Sequence, residues 1–540
     1  MTQCIAIYDI SGIQSFIFST NKLREMVGGS KIVHKILFEL LPKKLGYDND
    51  NWENEDFSKE IPQVRSGNVI YIGGGNALVL YENEKSYQSV TIELQKEVFE
   101  LSGGGIRLCH AKIEIDYLDQ KGSFVEKIQK PLMQALTTYK QNTAPIQTAR
   151  GFAFGAQDNE TKEPIVSVPT SKDSSCKYAS YGRFKKNKIF YSTRDEDKSS
   201  EGISQYSEGI SQYYADNFEQ FRDEEEKSFV AVIHIDGNTM GKQIIDFANK
   251  NQEEEETLFE QLKAMRELSK EISKIYRDTL DNTVNEIFKK EIDTEKAYRE
   301  AQELTKSIPY REIISDGDDI TVIIKSNKAL QFCDLFVKTL EKEKEGGNYS
   351  HLKDFHISVG IGIAFVHDKF PFSTAYDIAE QLCKNAKKRG LEYPFSKNNI
   401  DVTHSSMDFQ IIKSGMTTDI KNFRASNYYL EKNNQEPKCL LRRPYLYIKE
   451  NVPKEYTYTN FIDTYEELVN LGIANNKLKA LQHAYATSEM EIDYVIQMIK
   501  ARKKCELQPW MGNKATYFDI LDVWDYLKGG QIDENLTTDD

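Results

Sequence analysis

Two stretches of this 540-residue sequence repeat one another, so the chain is expected to contain two copies of one folding unit. Residues 70–81 (IYIGGGNALVLY) align position by position with residues 313–324 (IISDGDDITVII). Each stretch is a pair of β-type runs around a glycine turn, the pattern of a hairpin. Upstream of each lies a short apolar strand that ends in aspartate, Asp9 in IAIYD and Asp236 in VIHID. The run 229–235 (FVAVIHI) is continuously apolar, which suits a strand buried on both faces. Downstream of each hairpin come a helical pattern and a further strand: 87–101 then 106–115, and 328–341 then 355–366. A last helix, 373–388, closes the second unit.

The order β-α-α-β-β-α-β is a ferredoxin-like layout, the palm of polymerases and nucleotide cyclases. The expected fold class is therefore α+β: two ferredoxin-like palm domains plus a helical C-terminal domain. A chain of this length exceeds one hydrophobic core. The expected division is a first palm over 1–140, a connector with a small module over 141–228, a second palm over 229–400 and the helical domain over 401–540. The connector is polar and carries a perfect tandem duplication, SEGISQY at 200–206 and 207–213, of a kind that loops tolerate. Helical spacing between 257 and 306 marks an insertion inside the second palm.

The two copies differ where chemistry would sit. At the hairpin tip the second copy has Asp318 and Asp319, and the first has Gly75 and Asn76. Magnesium takes hard oxygen ligands, carboxylates above all. The second palm is thus expected to hold metal and the first is not. A nucleotidyl transfer uses two magnesium ions about 3.5–4 Å apart to activate a 3′-hydroxyl and stabilise the leaving oxygens. Palm topology makes the first strand and the hairpin neighbours, so Asp236 joins Asp318 and Asp319 as a candidate catalytic and metal-binding group. Gly237 adds a backbone carbonyl. Asp316 and Gly317 at the second turn, and Gly74, Gly75 and Asn76 at the first, are candidate nucleotide contacts because glycine lets the backbone approach phosphates. Lys384 and Lys387 lie three apart on one helix face, within reach of a triphosphate. The plainer readings are an ordinary Asp/Gly turn for SDGDD and a solvated basic face for KNAKKRG.

Composition excludes several classes. No apolar run approaches the ~20 residues of a membrane helix, and MTQCIAIYDISG is not a secretion signal. Seven scattered cysteines without a C-x-x-C pair argue against a disulfide scaffold or zinc ribbon, so a cytoplasmic location is expected. A net charge of −14 is unlike a stand-alone nucleic-acid binder. The basic patch 183–188 (RFKKNK) reads as solvated surface, the acidic run 253–256 as a helix N-terminus, and Trp510 and Trp524 as core residues.

Several motifs together resemble a known family. They are DISGIQSFIF at 9–18, KLREMVGGS at 22–30, HIDGNTMGK at 234–242, DGDD at 316–319, the segment 358–388, MDFQIIKS at 407–414 and RRPY at 442–445. The sequence resembles the large polymerase-cyclase subunit of type III CRISPR effector complexes. The resemblance implies ATP-dependent synthesis of a cyclic oligoadenylate-type messenger, with two Mg2+ (or Mn2+) ions and one ATP on the second palm and an acceptor nucleotide on the first. It also implies work beside other effector-complex subunits, a guide RNA and a target RNA, with no membrane. Carried over by position, Asp236, Asp318 and Asp319 would bind metal, and Lys387 would contact phosphate as in diguanylate cyclases. Three departures stand out. The chain opens at the first palm, so the family's N-terminal HD nuclease and its DNA cleavage are not expected. Asp316 replaces the first glycine of the family's GGDD. The cysteine pairs of a zinc module between the palms are missing. A non-catalytic scaffold and a stand-alone cyclase are the competing readings.

Overall fold

The structure, a computed structural model, describes residues 3–47, 52–116, 118–143, 155–166, 179–196, 214–222, 228–253, 257–300, 307–347, 349–397, 400–413, 419–430, 437–448, 452–503 and 505–527. The tandem duplication at 200–213 and the acidic residues 254–256 lie outside them.

The first palm is a four-stranded antiparallel sheet of β1 (Gln3–Ser11), β2 (Gly67–Gly73), β3 (Asn76–Tyr81) and β4 (Arg107–Ile115), in the order β2-β3-β1-β4. Its counterpart, β5 (Phe229–Gly237), β6 (Tyr310–Asp316), β7 (Asp319–Lys325) and β8 (Val359–His367), runs β6-β7-β5-β8. The repeat seen in the sequence is therefore a repeat of topology. It extends to a detail of register: both outer strands bulge, between Val69 and Tyr71 in one and between Glu312 and Ile314 in the other. A bulge increases local twist and re-aims the strand end.

Residues 404 onward, expected to be mainly helical, first complete the second sheet. Two short strands, β9 (Phe395–Lys397) and β10 (Ile400–Val402), pair with each other. Then β11 (Ser406–Ile411) lies parallel to β8. Further on come β12 (Tyr429–Leu430), β13 (Lys438–Cys439) and β14 (Tyr445–Leu446), and β14 closes the six-stranded order β14-β11-β8-β5-β7-β6. All six residues of β11 are buried although they alternate polar and apolar, and Arg424 partners the buried polar side, donating to Asp408 at 2.8 Å and to Gln410 at 3.1 Å. Helices Tyr458–Asn470, Asn475–Tyr485, Glu489–Lys503 and Phe518–Leu527 form the C-terminal bundle. The RRPY motif anchors it: Asp519 accepts from the Arg442 and Arg443 amides at 2.9 Å and from the Tyr445 hydroxyl at 2.7 Å. Trp524 is buried in this bundle and Trp510 is half-buried.

The two palms pack as one body. Ile5 and Ile7 on one face of β1 share a core with Ile233, Ile235 and Met265, while Ala6 and Tyr8 on the other face share a second core with Val232 and Tyr376. The inserted helix Leu258–Ile287 starts at a capping box of Thr257 and Glu260 and runs 30 residues. Its buried Arg266 reaches the first palm, donating to the carbonyls of Val69, Trp52 and Glu55. Of the acidic run, the described Glu253 ends the preceding helix, Met240–Glu253.

The patch 183–188 is not the solvated surface expected. It lies in the helix Tyr181–Glu196, with Arg183 and Lys186 buried. Arg183 pairs with Glu25 at 2.8 Å and with Asp158 at 2.6 Å. Lys186 donates to the Ser19 hydroxyl at 2.8 Å and to the Phe16 carbonyl. This explains KLREMVGGS: a Cβ on Gly28 would lie 2.0 Å from the Lys186 carbonyl oxygen, so glycine permits the helix contact, and Glu25 supplies its charge partner. Burial alone would raise the Glu25 carboxyl, but Arg183 overrides it and holds the group below its ordinary value. Among the described residues no helix is long and apolar enough to cross a membrane.

Candidate active site

The second hairpin turns through Gly317 and Asp318, between the paired residues Asp316 and Asp319. Gly317 has φ of 63°, a backbone state that glycine adopts without strain. On the neighbouring strand Ile235 faces Ile320, and Asp236 faces Gly360 on the other side. One step further along this register brings Asp236 beside Asp319. The Asp318 carboxylate folds against the same strand end, where a Cβ on Gly237 would sit 2.5 Å from its Oδ2. Glycine at 237 therefore does more than expose a carbonyl: it makes room for the carboxylate. The loop that follows is constrained as well. Thr239 adopts φ of 55°, rare for a β-branched residue, and Asn238 is tied to Ser358 through backbone (2.8 Å) and side chain (3.1 Å).

Three carboxylates thus meet at one point. Burial first, and then the charge of Asp236, pushes Asp318 up to about 6. Burial, then Asp236 and Asp318, pushes Asp319 up to about 7. Asp319 Oδ1 has no hydrogen-bond partner. Lys387 offers partial relief: its Nζ lies 2.5 Å from Asp236 Oδ2 and 2.7 Å from the Gly237 carbonyl oxygen. Gly360 clears the path for this side chain, since a Cβ there would meet Lys387 Cγ at 2.5 Å. Lys384 is not part of the cluster; it is exposed and pairs with Glu380 at 2.9 Å.

These groups suit a divalent cation. Crowded anionic oxygens, one of them unpartnered, are what a hard metal ion would satisfy. A second set, His234, Asp236 and Cys383, has potential ligand atoms within 4.8 Å of one another. Burial lowers His234 to about 4 and raises Cys383 to about 12, so the imidazole is neutral and the sulfur is a thiol. The Cys383 thiol donates to the Gly360 carbonyl at 3.2 Å, and His234 Nδ1 lies 3.1 Å from the Thr321 hydroxyl. The carboxylate set is the better match for magnesium and the His/Cys set for a softer ion.

The first palm keeps part of this geometry without the carboxylate pair. Asp9 faces Asn76 across the strands. Lys140 lies 2.7 Å from Asp9 on the helix Lys130–Asn142, the counterpart of Lys387 beside Asp236. Sequence reading missed Lys140 because nothing near it resembles KNAKKRG. It also missed what Asp316 does: its Oδ2 accepts from the Gly75 amide at 2.7 Å, joining the two hairpin tips. Asp316 was expected to contact nucleotide, and here it contacts the other palm. Gly73, Gly74, Asn76, Gly317 and Asp318 line a cavity of about 310 Å3 between the tips, floored by apolar side chains such as Met265 and Leu268.

Fold and site together define a tandem-palm protein with one carboxylate-bearing hairpin and one glycine-tipped hairpin. Residues 229–399 match the family model of the Cas10/Cmr2 second palm domain, so the chain carries a domain of that type. Solved structures with a similar fold include the Csm1–Csm4 cassette in complex with cA4 (11% identity, 97% of this chain and 69% of that chain, TM-score 0.47) and with pppApApA (12%, 97% and 69%, TM-score 0.47). The same cassette in complex with cA3 matches at 11% identity over 72% of this chain, with a TM-score of 0.40, and there the match spans 53% of the other chain. No curated protein matches the sequence.

Proposed function

We propose that this chain is a magnesium-dependent nucleotidyltransferase that makes a cyclic oligoadenylate-type messenger from ATP, as the palm subunit of an RNA-guided type III CRISPR complex. The observation that carries the reading is the meeting of Asp318 and Asp319 with Asp236–Gly237 at one strand end, with an unpartnered carboxylate oxygen, in a domain of the Cas10/Cmr2 second-palm type. A scaffold gains nothing from carboxylates that repel one another. Asp236, Asp318, Asp319 and the Gly237 carbonyl would hold two Mg2+ or Mn2+ ions. When bound, the ions supply activation of the attacking hydroxyl and neutralisation of the leaving pyrophosphate. Lys387 stands where its ammonium, once Asp236 has another partner, can serve the triphosphate. Gly317 lets that triphosphate lie close to the turn. On the first palm, Gly74 and Asn76 border the cavity and would cradle the acceptor, and Lys140 beside Asp9 supplies a cation nearby. Other effector subunits, the guide RNA and the target RNA complete the assembly and switch the reaction on.

The test is incubation of the purified protein with each labelled nucleoside triphosphate and Mg2+ or Mn2+, with and without guide complex and target RNA. Product from ATP that requires target RNA and disappears in Asp318→Asn/Asp319→Asn is the expected result. Product without RNA would point to a stand-alone cyclase. No product in any condition, with no metal binding, would leave a scaffold.

A further inference from the structure

We propose that Asp316 is a positioning residue that locks the two hairpin tips together and so fixes where an acceptor on the first palm lies relative to Asp318 and Asp319. The inference rests on the nucleotidyltransferase reading and concerns the same site.

The tie is specific in its geometry. Asp316 Oδ2 accepts from the Gly75 amide at 2.7 Å, across 241 residues of sequence. A hydrogen bond to a carboxylate is about twice as strong as one between neutral groups. Gly75 is held from its other side too, since its carbonyl accepts from the Ile10 amide at 3.0 Å. Its φ of 72° directs these groups, and a Cβ at this position would meet Ile13 Cδ1 at 2.9 Å. Both polar backbone groups of Gly75 are therefore committed, the amide to the second palm and the carbonyl to Ile10 near the end of β1. The adjacent glycines are not so confined: a Cβ on Gly73 or Gly317 would meet nothing within 4 Å. Gly73, Gly74 and Gly317 are the positions left open to a ligand, and Gly75 is the one clamped.

Register shows why the aspartate sits at 316 and nowhere else. Asp316 pairs with Asp319, and Gly73 pairs with Asn76. Position 316 is thus the counterpart of Gly73, and only one of the two hairpins carries a side chain there that can cross the gap. Glycine at 316 would have no group to offer Gly75. The same pairing places the tie one cross-strand step from Asp319, so a shift of the first palm's tip is felt at the carboxylates. Alignment of two reactants is a large part of catalysis, and a displacement of about 1 Å costs on the order of a hundredfold in rate.

Two readouts on the full-length chain test this. In Asp316→Ala and Asp316→Gly, hydrogen exchange at the Gly75 amide should rise about tenfold or more, as loss of one charge-assisted hydrogen bond requires. In the target-activated complex the same variants should lose roughly tenfold or more in kcat with KM for ATP changed by less than about threefold. Asp316→Asn keeps an oxygen acceptor and should restore both readouts most of the way. Unchanged Gly75 exchange in the alanine variant would overturn the tie. Equal behaviour of Asn and Ala, with ATP binding tightened in both, would overturn the positioning role and show instead that the charge repels phosphate. If the wild-type chain makes no product, the nucleotidyltransferase reading fails and the positioning role with it, while Gly75 exchange still decides whether the tips are joined.

Discussion

Neutralising one carboxylate at the second hairpin tip should stabilise the metal-free protein. The perturbation is Asp319→Asn, nearly isosteric and confined to charge. Asp319 is pushed up to about 7 from an ordinary 3.8, by burial and then by Asp236 and Asp318. A gap of roughly three pH units corresponds to about 4 kcal/mol at 1.36 kcal/mol per unit. The side chain is 43% exposed, so solvent screening reduces this to about 1–2 kcal/mol. An acid whose folded pKa is raised costs stability when ionised. The cost is full above about pH 7, shrinks as pH falls through 7, and is gone near the ordinary value of 3.8. The assay is thermal unfolding in chelator at pH 8 and at pH 4.5. At roughly 2–4 °C per kcal/mol for a domain of about 200 residues, the variant should melt about 2–8 °C higher at pH 8 and nearly level with wild type at pH 4.5. Saturating magnesium should reverse the order, since a ligand at a hundred times its Kd adds about 2.7 kcal/mol to whichever protein binds it. A variant less stable than wild type in chelator at pH 8, or equal magnesium stabilisation of both proteins, would refute the reasoning.

Two other substitutions probe the remaining charged contacts. Arg183→Met leaves the buried carboxyls of Glu25 and Asp158 unpaired and should cost about 3–5 kcal/mol in urea unfolding at pH 7. Both carboxyls sit below their ordinary values in the folded protein, so the wild type's advantage is full above about pH 5 and should narrow as acid protonates them. Lys387→Met removes the cation beside Asp236 and should lower kcat/KM for ATP by about tenfold to a hundredfold, with the secondary structure unchanged by circular dichroism.

Much of this architecture could be read from residue order alone. Position-by-position correspondence of two hairpins, each preceded by an Asp-ended strand, leaves few topologies open, because strand pairing is fixed by short connections and by which runs are apolar. The same alignment set Asp318 and Asp319 against Gly75 and Asn76, and so separated a tip that carries carboxylates from one that does not. Side-chain chemistry at a turn is local, and local sequence encodes it.

What only the tertiary structure decided are the contacts between residues far apart in the chain. RFKKNK has the composition of a surface patch, yet Arg183 and Lys186 are buried, because Glu25, Asp158 and the backbone at Phe16 happen to surround them. No periodicity near 183 reports on Glu25. The strand Ser406–Ile411 alternates polar and apolar residues, yet both of its faces are buried, because Arg424 reaches from another element to pair with Asp408 and Gln410. Lys140 finds Asp9 only once the first palm has folded, and Asp316 finds Gly75 only once the two palms have packed against each other. Sequence determined which groups the two tips carry, since that is written residue by residue. Packing of one palm on the other decided what those groups touch, since hydrogen bonds and ion pairs depend on distances that close only in the folded chain.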